Sequence, residues 1–405
     1  MLKRPCWVVF SAELDFLRYT IVRFTMNASS RQKLFYIANV NMPTTRAHGL
    51  QIMKMCAAFA EANKNCDVVL VVPRRFNLNK EEPFGFYNVP RTFSIQFVGC
   101  IDLIYWDRFF GRCAYFVQVF SFLLHVKIKF LFSKKLIFTR ELWTLLFFPG
   151  ASFEAHTFPN TFTRAHSFLL KRAAHIFTLT SFLKQKIESI GVANSKIFVE
   201  ADAVNPDEFL VSVRKDELRE MFGLPKDAFL VMYTGSFALF DWKGVDTLLE
   251  AAKIMNGSVV FVLVGEDVEE IEKIKTDELA NRVIFVPHQL HKVIPQYLAA
   301  ADVLVLPNKN SDVMSSAYTS PLKLFEYMAA QRPIVASDLP SIREVVDEND
   351  VWFFEAGNVS ALVKVLGDFC GLEQSVVDSK IFSAYKKVLN LTWVKRAERI
   401  LKIIE

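Results

Sequence analysis

The segment from Ser320 to Glu326 contains the clearest candidate chemistry in the sequence. A turn at Ser320-Pro321 precedes a run in which apolar residues recur at helical spacing. The N-terminus of a helix binds phosphate well, because its backbone N–H groups are free and the helix dipole is positive there. Glu326 lies one turn into this helix, where its carboxylate can accept hydrogen bonds from two vicinal hydroxyls. A phosphate at the turn and a ribose at the glutamate together fit a nucleotide.

Polar residues also follow the predicted strands of the first half of the chain. Gly49 precedes a helix and suits close approach of a phosphate, although an ordinary loop glycine fits the segment equally well. Arg140 follows one predicted strand, and Glu154 and His156 lie at the carboxyl edge of another. A histidine in this place can bind a sugar hydroxyl or handle a proton near neutral pH. The segment alone is also consistent with a polar loop histidine that has no such role.

The second half offers a comparable arrangement. A predicted strand, Phe229 to Thr234, runs into Gly235-Ser236, and Lys243 stands just before the next helix. A lysine in this position can act as a point charge on a phosphate. A solvated surface lysine is the alternative, and the segment by itself does not decide between them.

The elements that position these residues predict an α/β protein. Buried apolar strands alternate with helices in both halves, which indicates two doubly wound, Rossmann-like parallel sheets. We expect an N-terminal domain at residues 31–205 and a C-terminal domain at residues 206–388, facing one another across a cleft lined by strand-end loops. The turn-rich segment Asp202 to Phe209 is the candidate linker. Neither first strand is followed by a GxGxxG pattern, which disfavours a dehydrogenase.

Composition narrows the function classes. The chain has 405 residues, enough for two domains, and 52% of them are hydrophobic, which excludes wholesale disorder. The 48 basic and 43 acidic residues leave a net charge of +5, too small and too scattered to indicate nucleic acid as a partner. Six cysteines occur without a CxxC pair or zinc spacing, so we expect reduced thiols and a cytoplasmic protein.

Two segments are open to more than one interpretation. Residues 1–30 are expected to be an N-terminal extension outside the core, with Met26 as a possible natural start. The apolar run at 114–132 is too short in its uncharged part to span a bilayer. We favour a buried helix of the first domain, but Lys127 and Lys129 also allow a surface that contacts acidic lipid at the inner face of the membrane.

The sequence resembles glycosyltransferase family 4 over roughly residues 33–390. The resemblance is carried by MPTTRAHGLQIMKMC, FEAH, YTGSFALFDWKGVDTLLEA, YLAAADVLVLPN and, most specifically, SPLKLFEYMAAQRPIVASDLPSIREV. The resemblance implies the GT-B fold and a retaining enzyme that uses a nucleotide-diphosphate sugar. It also implies that the last helix, within residues 389–405, crosses back to the N-terminal domain.

The resemblance assigns roles residue by residue. Glu326 matches a ribose-binding glutamate, Lys243 a diphosphate-binding lysine, and His156 a histidine that contacts the donor sugar. The other positions matched to donor binding are Gly49, Gly235, Val286, His288, Leu322 and Lys323. Two positions depart from the family pattern: Tyr318 replaces its first glutamate, and Ser236 replaces an arginine. Arg140 or Lys323 could supply the missing cation, and Glu154 is a further candidate for a phosphate or acceptor contact.

The implied reaction moves a hexosyl group to an acceptor hydroxyl with retention, in cell-surface glycan or glycolipid synthesis. Expected partners are the sugar nucleotide and a glycan or lipid-linked acceptor. No acidic pair of DxD type follows a strand, so we expect no cofactor and no metal. Two alternatives remain: a nucleotide-sugar epimerase of the same fold, and a non-catalytic nucleotide-binding partner of a glycosyltransferase complex.

Overall fold

The structure is a computed structural model that describes residues 32–77, 79–103, 111–130, 135–156, 163–236, 241–311, 314–318 and 320–405. The extension expected at residues 1–30 lies outside the described residues.

The first domain is a parallel sheet with helices on both faces. Its strands run in the spatial order β3-β2-β1-β4-β5-β6-β7. They are β1 (Gln32–Ile37), β2 (Cys66–Arg74), β3 (Ser94–Gly99), β4 (Leu136–Thr139), β5 (Ser152–Ala155), β6 (Ile176–Thr178) and β7 (Ile197–Val199). The helices of this domain are α1 (Ala47–Ala62), α2 (Pro83–Tyr87), α3 (Arg112–Lys129), α4 (Thr144–Phe147), α5 (Arg164–Lys171) and α6 (Ser181–Ser189).

The second domain repeats this plan with strands in the order β10-β9-β8-β11-β12-β13, again all parallel. They are β8 (Phe229–Thr234), β9 (Val259–Glu266), β10 (Val283–Pro287), β11 (Val303–Leu306), β12 (Ile334–Ser337) and β13 (Trp352–Phe354). The helices are α7 (Lys215–Met221), α8 (Val245–Ile254), α9 (Val268–Ile274), α10 (Ile294–Ala300), α11 (Leu322–Ala329), α12 (Pro340–Arg343), α13 (Val359–Asp368) and α14 (Gln374–Val388).

The apolar strands explain the layering. A strand such as β9 is buried along almost its whole length, because α-helices cover both faces of a parallel sheet. Each sheet therefore lies between two apolar clusters, one for each layer of helices. The predicted fold class is confirmed.

The last helix, α15 (Trp393–Ile404), belongs by packing to the first domain. Trp393, Ala397 and Ile400 lie in the same apolar cluster as Leu34 of β1 and Met53 of α1. The chain thus crosses between the domains at the linker and again before α15. These two crossings run side by side, since the backbone N–H of Val204 donates to the carbonyl of Leu391 at 3.0 Å.

Two local features differ from what the sequence predicts. The Pro-, Phe- and Arg-rich composition of residues 74–112 predicts an irregular segment, and this prediction is wrong because the segment contains α2 and the strand β3. β3 is an edge strand with mostly exposed or half-buried residues, so it shows no continuous apolar run. Ser181 also has the residue type of a helix cap, but Thr180 caps α6 by accepting from the N–H of Leu183 at 3.2 Å.

The apolar run at 114–132 forms α3, which has two different faces. Val119, Phe122 and Val126 are buried in the first domain. Leu124 and Ile128 are 50% and 59% exposed on the other side. The expected buried helix is therefore present, and it keeps an exposed apolar side. None of the described helices combines the length and hydropathy that a bilayer span requires.

Candidate active site

The strand order of each sheet reverses between its first and fourth strands, and such switch points are where doubly wound sheets bind ligands. In the first domain, Gly49 lies in the first turn of α1, after β1, and Arg140 follows β4 directly. In the second domain, Gly235 and Ser236 follow β8, and the segment leading into α11 follows β11. The candidate residues therefore belong to the two edges at which the sheets can hold a ligand.

Two lysines converge on the turn after β8. Lys243 Nζ donates to the carbonyl of Ser236 at 2.7 Å and lies 3.3 Å from its hydroxyl. Lys323 Nζ donates to the hydroxyl of Tyr233 at 2.8 Å, and its stem crosses Gly235. Gly235 has φ +120°, and a Cβ there would lie 2.4 Å from Lys323 Cε. A glycine is therefore required for the backbone conformation and for the close approach of the lysine.

Burial makes this pair of cations unfavourable without an anion. It lowers the pKa of Lys243 to about 8, and the nearby charge of Lys323 acts in the same direction. Burial also lowers the pKa of Lys323 to about 8, although Glu326 opposes the change. Both side chains remain largely protonated at neutral pH. An anionic ligand between them relieves the repulsion, which is the electrostatics expected of a diphosphate site.

Glu326 is held by a histidine that the sequence did not single out. Its Oε1 lies 2.8 Å from Nε2 of His291, in a short 3₁₀ helix after β10, and the glutamate is only 8% exposed. This contact orients the carboxylate. Val286 is a half-buried residue near the end of β10, while His288 is exposed and its N–H donates to the carbonyl of Glu266 at 2.9 Å.

The first domain contributes a buried ionic cluster centred on Glu154. Its Oε2 lies 3.1 Å from Nε2 of His156, accepts from the hydroxyl of Tyr36 at 3.2 Å, and lies 3.9 Å from Nε of Arg140. Its Oε1 forms an ion pair with Arg396 of α15. Glu154 is 2% exposed, so its carboxylate is a partner of neighbouring side chains.

The protonation states in this cluster follow from burial and charge. Burial alone raises the pKa of Glu154, but Arg396 and His156 outweigh it and hold that pKa well below its usual range. Burial lowers the pKa of His156 to about 4, with Arg140 in support and Glu154 in opposition. The imidazole is therefore neutral at pH 7. Since its Nε2–H donates to the carboxylate, Nδ1 is the acceptor nitrogen.

A second buried acidic residue, Asp202, links the domains through its side chain and its backbone. Asp202, 1% exposed in the linker, accepts from Nε2 of Gln51 at 2.8 Å, and its N–H donates to the hydroxyl of Ser320 at 3.4 Å. Its Oδ1 has no hydrogen-bond partner within the described residues. Burial raises the pKa of Asp202 to about 7, against Arg396, which lowers it. Gln51 also accepts from Arg140 at 3.2 Å, so Asp202 is connected to the cluster around Glu154.

Tyr318, just before α11, and Leu322, its first residue, contact the first domain. Tyr318, half-buried at the end of a π-helical turn (Met314–Tyr318), packs against the apolar cluster that contains Leu183 and Ile187 of α6. Leu322 packs against the cluster that contains Met53. The tyrosine in place of the family's first glutamate therefore forms part of the contact between the domains.

The structure brings the predicted residues into two groups, one on each domain. Lys243, Lys323, Gly235 and Ser236 form the first, and His156, Glu154 and Arg140 form the second. The sequence reasoning missed His291 and Arg396. A signal for Arg396 was available, because it lies three residues after Trp393 and four before Ile400, within the apolar stripe of α15. A charged residue in such a stripe requires a buried partner.

Among the residues that the structure describes, no three His, Cys, Asp or Glu side chains lie together in a way that could hold a metal ion.

Part of the chain is similar in sequence to known glycosyltransferases. Residues 228–370, most of the second domain, match the family described as Glycosyl transferases group 1. The chain is 24% identical over 212 residues to the 2-deoxystreptamine N-acetyl-D-glucosaminyltransferase of Streptomyces fradiae, covering 50% of this chain and 49% of that protein. It is 25% identical over 198 residues to the amylovoran biosynthesis glycosyltransferase AmsK of Erwinia amylovora, covering 47% of this chain and 46% of that protein. The chain thus spans about half the length of these curated relatives.

The fold is shared over a longer range. Anabaena HepE, solved in complex with UDP, superposes with a TM-score of 0.70 at 14% identity, covering 92% of this chain and 99% of the other. This likeness supports the two-domain GT-B architecture.

Proposed function

We propose that this protein transfers a hexosyl group, with retention, from a nucleotide-diphosphate sugar to an acceptor hydroxyl. One observation carries the proposal: Lys243 and Lys323 converge on the turn at Gly235 and Ser236, at the switch point of the domain that matches group 1 glycosyl transferases. Two half-buried cations beside a glycine turn suit a diphosphate. Glu326, in the helix that also carries Lys323, suits a ribose diol.

The remaining donor contacts follow from this placement. The backbone at Leu322 and Lys323, at the N-terminus of α11, faces the phosphates and the sugar. Val286 and His288 flank the base, and Gly49 allows the first domain to approach the phosphate from across the cleft. The lysine pair substitutes for the arginine that is replaced here by Ser236.

Catalysis then consists mainly of leaving-group stabilisation. Negative charge develops on the departing diphosphate, and Lys243, Lys323 and backbone N–H groups are aimed at that charge before the reaction begins. These cations provide what a divalent metal would otherwise supply, so we propose that the reaction is metal-independent. The leaving phosphate assists in deprotonating the acceptor on the same face of the sugar.

His156 positions the donor sugar. A neutral imidazole whose Nε2–H is committed to Glu154 offers Nδ1 as an acceptor for a sugar hydroxyl. Arg140, beside the same carboxylate, provides a cation at this edge of the first domain.

We propose a glycan or lipid-linked acceptor that the enzyme meets at the cytoplasmic face of a membrane. The exposed apolar side of α3 lies beside Lys127 and Lys129 in its last turn, a combination that suits acidic lipid. A relative in amylovoran biosynthesis is consistent with synthesis of a cell-surface polysaccharide.

The first test is a thermal-shift panel of UDP-, GDP- and ADP-sugars with and without EDTA. The matching donor raises Tm by mass action, and EDTA leaves the shift unchanged. Release of nucleoside diphosphate is then followed with and without a glycan or lipid-linked acceptor. Acceptor-dependent release supports the transferase. A new sugar nucleotide formed from donor alone identifies an epimerase, and binding without turnover of any acceptor identifies a non-catalytic partner.

A further inference from the structure

Arg396 is one of the most deeply buried charged residues in the described chain, at 1% exposure. Besides the ion pair with Glu154, its Nε donates to the carbonyl of Ala201 at 2.8 Å and its Nη2 to the carbonyl of Glu200 at 3.2 Å. A buried guanidinium is costly unless it is paired and its donors are satisfied. This one is tied both to the two residues that precede the linker and to a single carboxylate in the first domain.

That carboxylate is shared with His156. Arg396 contacts Oε1 of Glu154, while Oε2 faces Nε2 of His156 at 3.1 Å and the hydroxyl of Tyr36 at 3.2 Å. Both oxygens are thus engaged, and the orientation of the carboxylate depends on the cation at one end. The imidazole at the other end depends in turn on that carboxylate.

We propose that Arg396 is a positioning residue for the transfer reaction, holding Glu154 as an ionised, oriented acceptor and thereby keeping His156 in the neutral, Nε2-protonated form. The inference rests on the proposed function of the cleft. It connects the last helix of the chain to the residue that contacts the donor sugar.

The charges around His156 explain why the cation is needed. The imidazole is next to Glu154, with Arg140 and Arg396 as the nearby cations, and Tyr36 shares the carboxylate. Without Arg396, the buried carboxylate is balanced mainly by Arg140, whose Nε is 3.9 Å away. The carboxylate of Glu154 then stabilises a positively charged imidazole of His156, which replaces the missing guanidinium as its partner. A doubly protonated ring has no acceptor nitrogen, so the contact to the sugar is lost at pH values where the native protein retains it.

The same helix provides a matched control. Arg399, one turn further along, pairs with Glu200 at 2.8 Å, and its side chain is 42% exposed. Replacing it removes a guanidinium and an ion pair from α15 without touching Glu154.

The experiment compares Arg396→Met, Arg396→Lys and Arg399→Met in the full chain. One readout is the NMR titration of the His156 imidazole, assigned by the signal that disappears in His156→Gln. The other is the pH profile of kcat/KM for sugar transfer. In Arg396→Met, we expect the titration and the acid limb of the profile to move up by about one pH unit, from a pKa of about 4 to about 5. The loss of kcat/KM is then roughly fivefold at pH 4 and small at pH 6. Arg396→Lys restores most of the native profile, and Arg399→Met matches the native protein.

Loss of activity in Arg396→Met with an unchanged His156 titration overturns the inference, because a merely structural role lowers activity equally at all pH values. If Arg396→Met does not fold, Glu154→Gln and the charge-balanced double variant Glu154→Gln/Arg396→Met decide instead. The inference expects these two variants to have the same pH profile, and a further shift in the double variant contradicts it. The NMR titration separates this inference from the proposed function. If the native protein turns over no sugar nucleotide, the proposed function is refuted, but the titration still shows whether Arg396 controls the protonation of His156.

Discussion

Replacing Lys243 with methionine removes one cation from the proposed diphosphate site and keeps most of the apolar stem. In the structure, the ammonium lies 2.7 Å from the carbonyl of Ser236, at the turn where the phosphates are expected. We expect kcat to fall about 10²- to 10³-fold, the range for removing one group that stabilises a developing negative charge.

A Coulomb estimate gives the same magnitude. A unit charge about 4 Å from a phosphate contributes roughly 4 kcal/mol at an effective dielectric constant of about 20. Lys323 remains nearby and retains part of the stabilisation, so a loss of roughly 3 to 4 kcal/mol is reasonable. Each 1.36 kcal/mol corresponds to about a tenfold change in rate, which gives the stated range.

The same change should not destabilise the fold. Burial lowers the pKa of Lys243 from 10.5 to about 8, so the folded protein binds a proton on this group less readily than the unfolded chain. The cost is fully present below pH 8 and disappears as the pH rises from about 8 towards 10.5. Lys243→Met removes the cost. Its Tm at pH 7 should therefore equal or exceed that of the native protein, which separates a catalytic defect from misfolding.

The assay is release of nucleoside diphosphate in the presence of acceptor, with Tm recorded on the same samples. Lys253→Met is the matched control, because this lysine lies in the last turn of α8 and pairs with Glu250 at the surface. We expect native activity in the control. If Lys243→Met keeps more than about a third of the native kcat/KM, Lys243 does not stabilise the leaving group.

Four further predictions follow from particular contacts. Glu326→Ala should raise KM for the donor about 10- to 100-fold, because a buried acceptor for the ribose is lost. Gly244→Ala should destabilise the protein by at least about 2 kcal/mol in denaturant titrations, because Gly244 has φ +69° and a Cβ would lie 1.8 Å from the carbonyl oxygen of Pro307. The native protein should lose up to roughly 4 kcal/mol of stability as the pH rises from about 4 to 7, because the raised pKa of Asp202 keeps its carboxyl protonated in the folded state and ionised in the unfolded chain over this range. Asp202→Asn lacks this group, so its stability relative to the native protein should rise over the same range. Replacing Lys127 and Lys129 with glutamine should weaken co-flotation with acidic liposomes, and salt should do the same.

Each of these predictions has an outcome that contradicts it. If Glu326→Ala leaves the KM for the donor unchanged, Glu326 does not bind the ribose. Native stability of Gly244→Ala would mean that the turn before α8 can rearrange. A parallel pH dependence of the native protein and Asp202→Asn would mean that Asp202 is ionised throughout. If the native protein does not co-float with acidic liposomes, it does not bind acidic lipid.

Much of the fold could be predicted because parallel sheets leave a local signature. Strands such as β8 and β9 are continuous apolar runs, since both of their faces are covered, and a run of this kind is visible without knowledge of its neighbours. The edge strand β3 was missed for the same physical reason, since a half-exposed strand needs no continuous apolar run.

The candidate site was predictable only in part. Lys243 and Glu326 stand in short, distinctive motifs, so the sequence singles them out and the resemblance gives them roles. Their partners come from distant segments: His291 precedes Glu326 by 35 residues, and Arg396 follows Glu154 by 242. No local pattern couples such positions, because the contact depends on how strands are ordered and where the last helix docks.

The sequence by itself determined the two doubly wound domains, the helix N-terminus before Glu326 and the lysine at the turn after β8, because these depend on periodicity and short-range spacing. Only the tertiary structure decided which charges share a site. It showed that His156 lies beside Glu154 in a buried cluster, where burial lowers the pKa of its imidazole. It also showed that Glu154 is a buried partner of Arg396 and that Tyr318 packs between the domains. These properties arise from burial and from the distances between charges, and both exist only once the chain has folded.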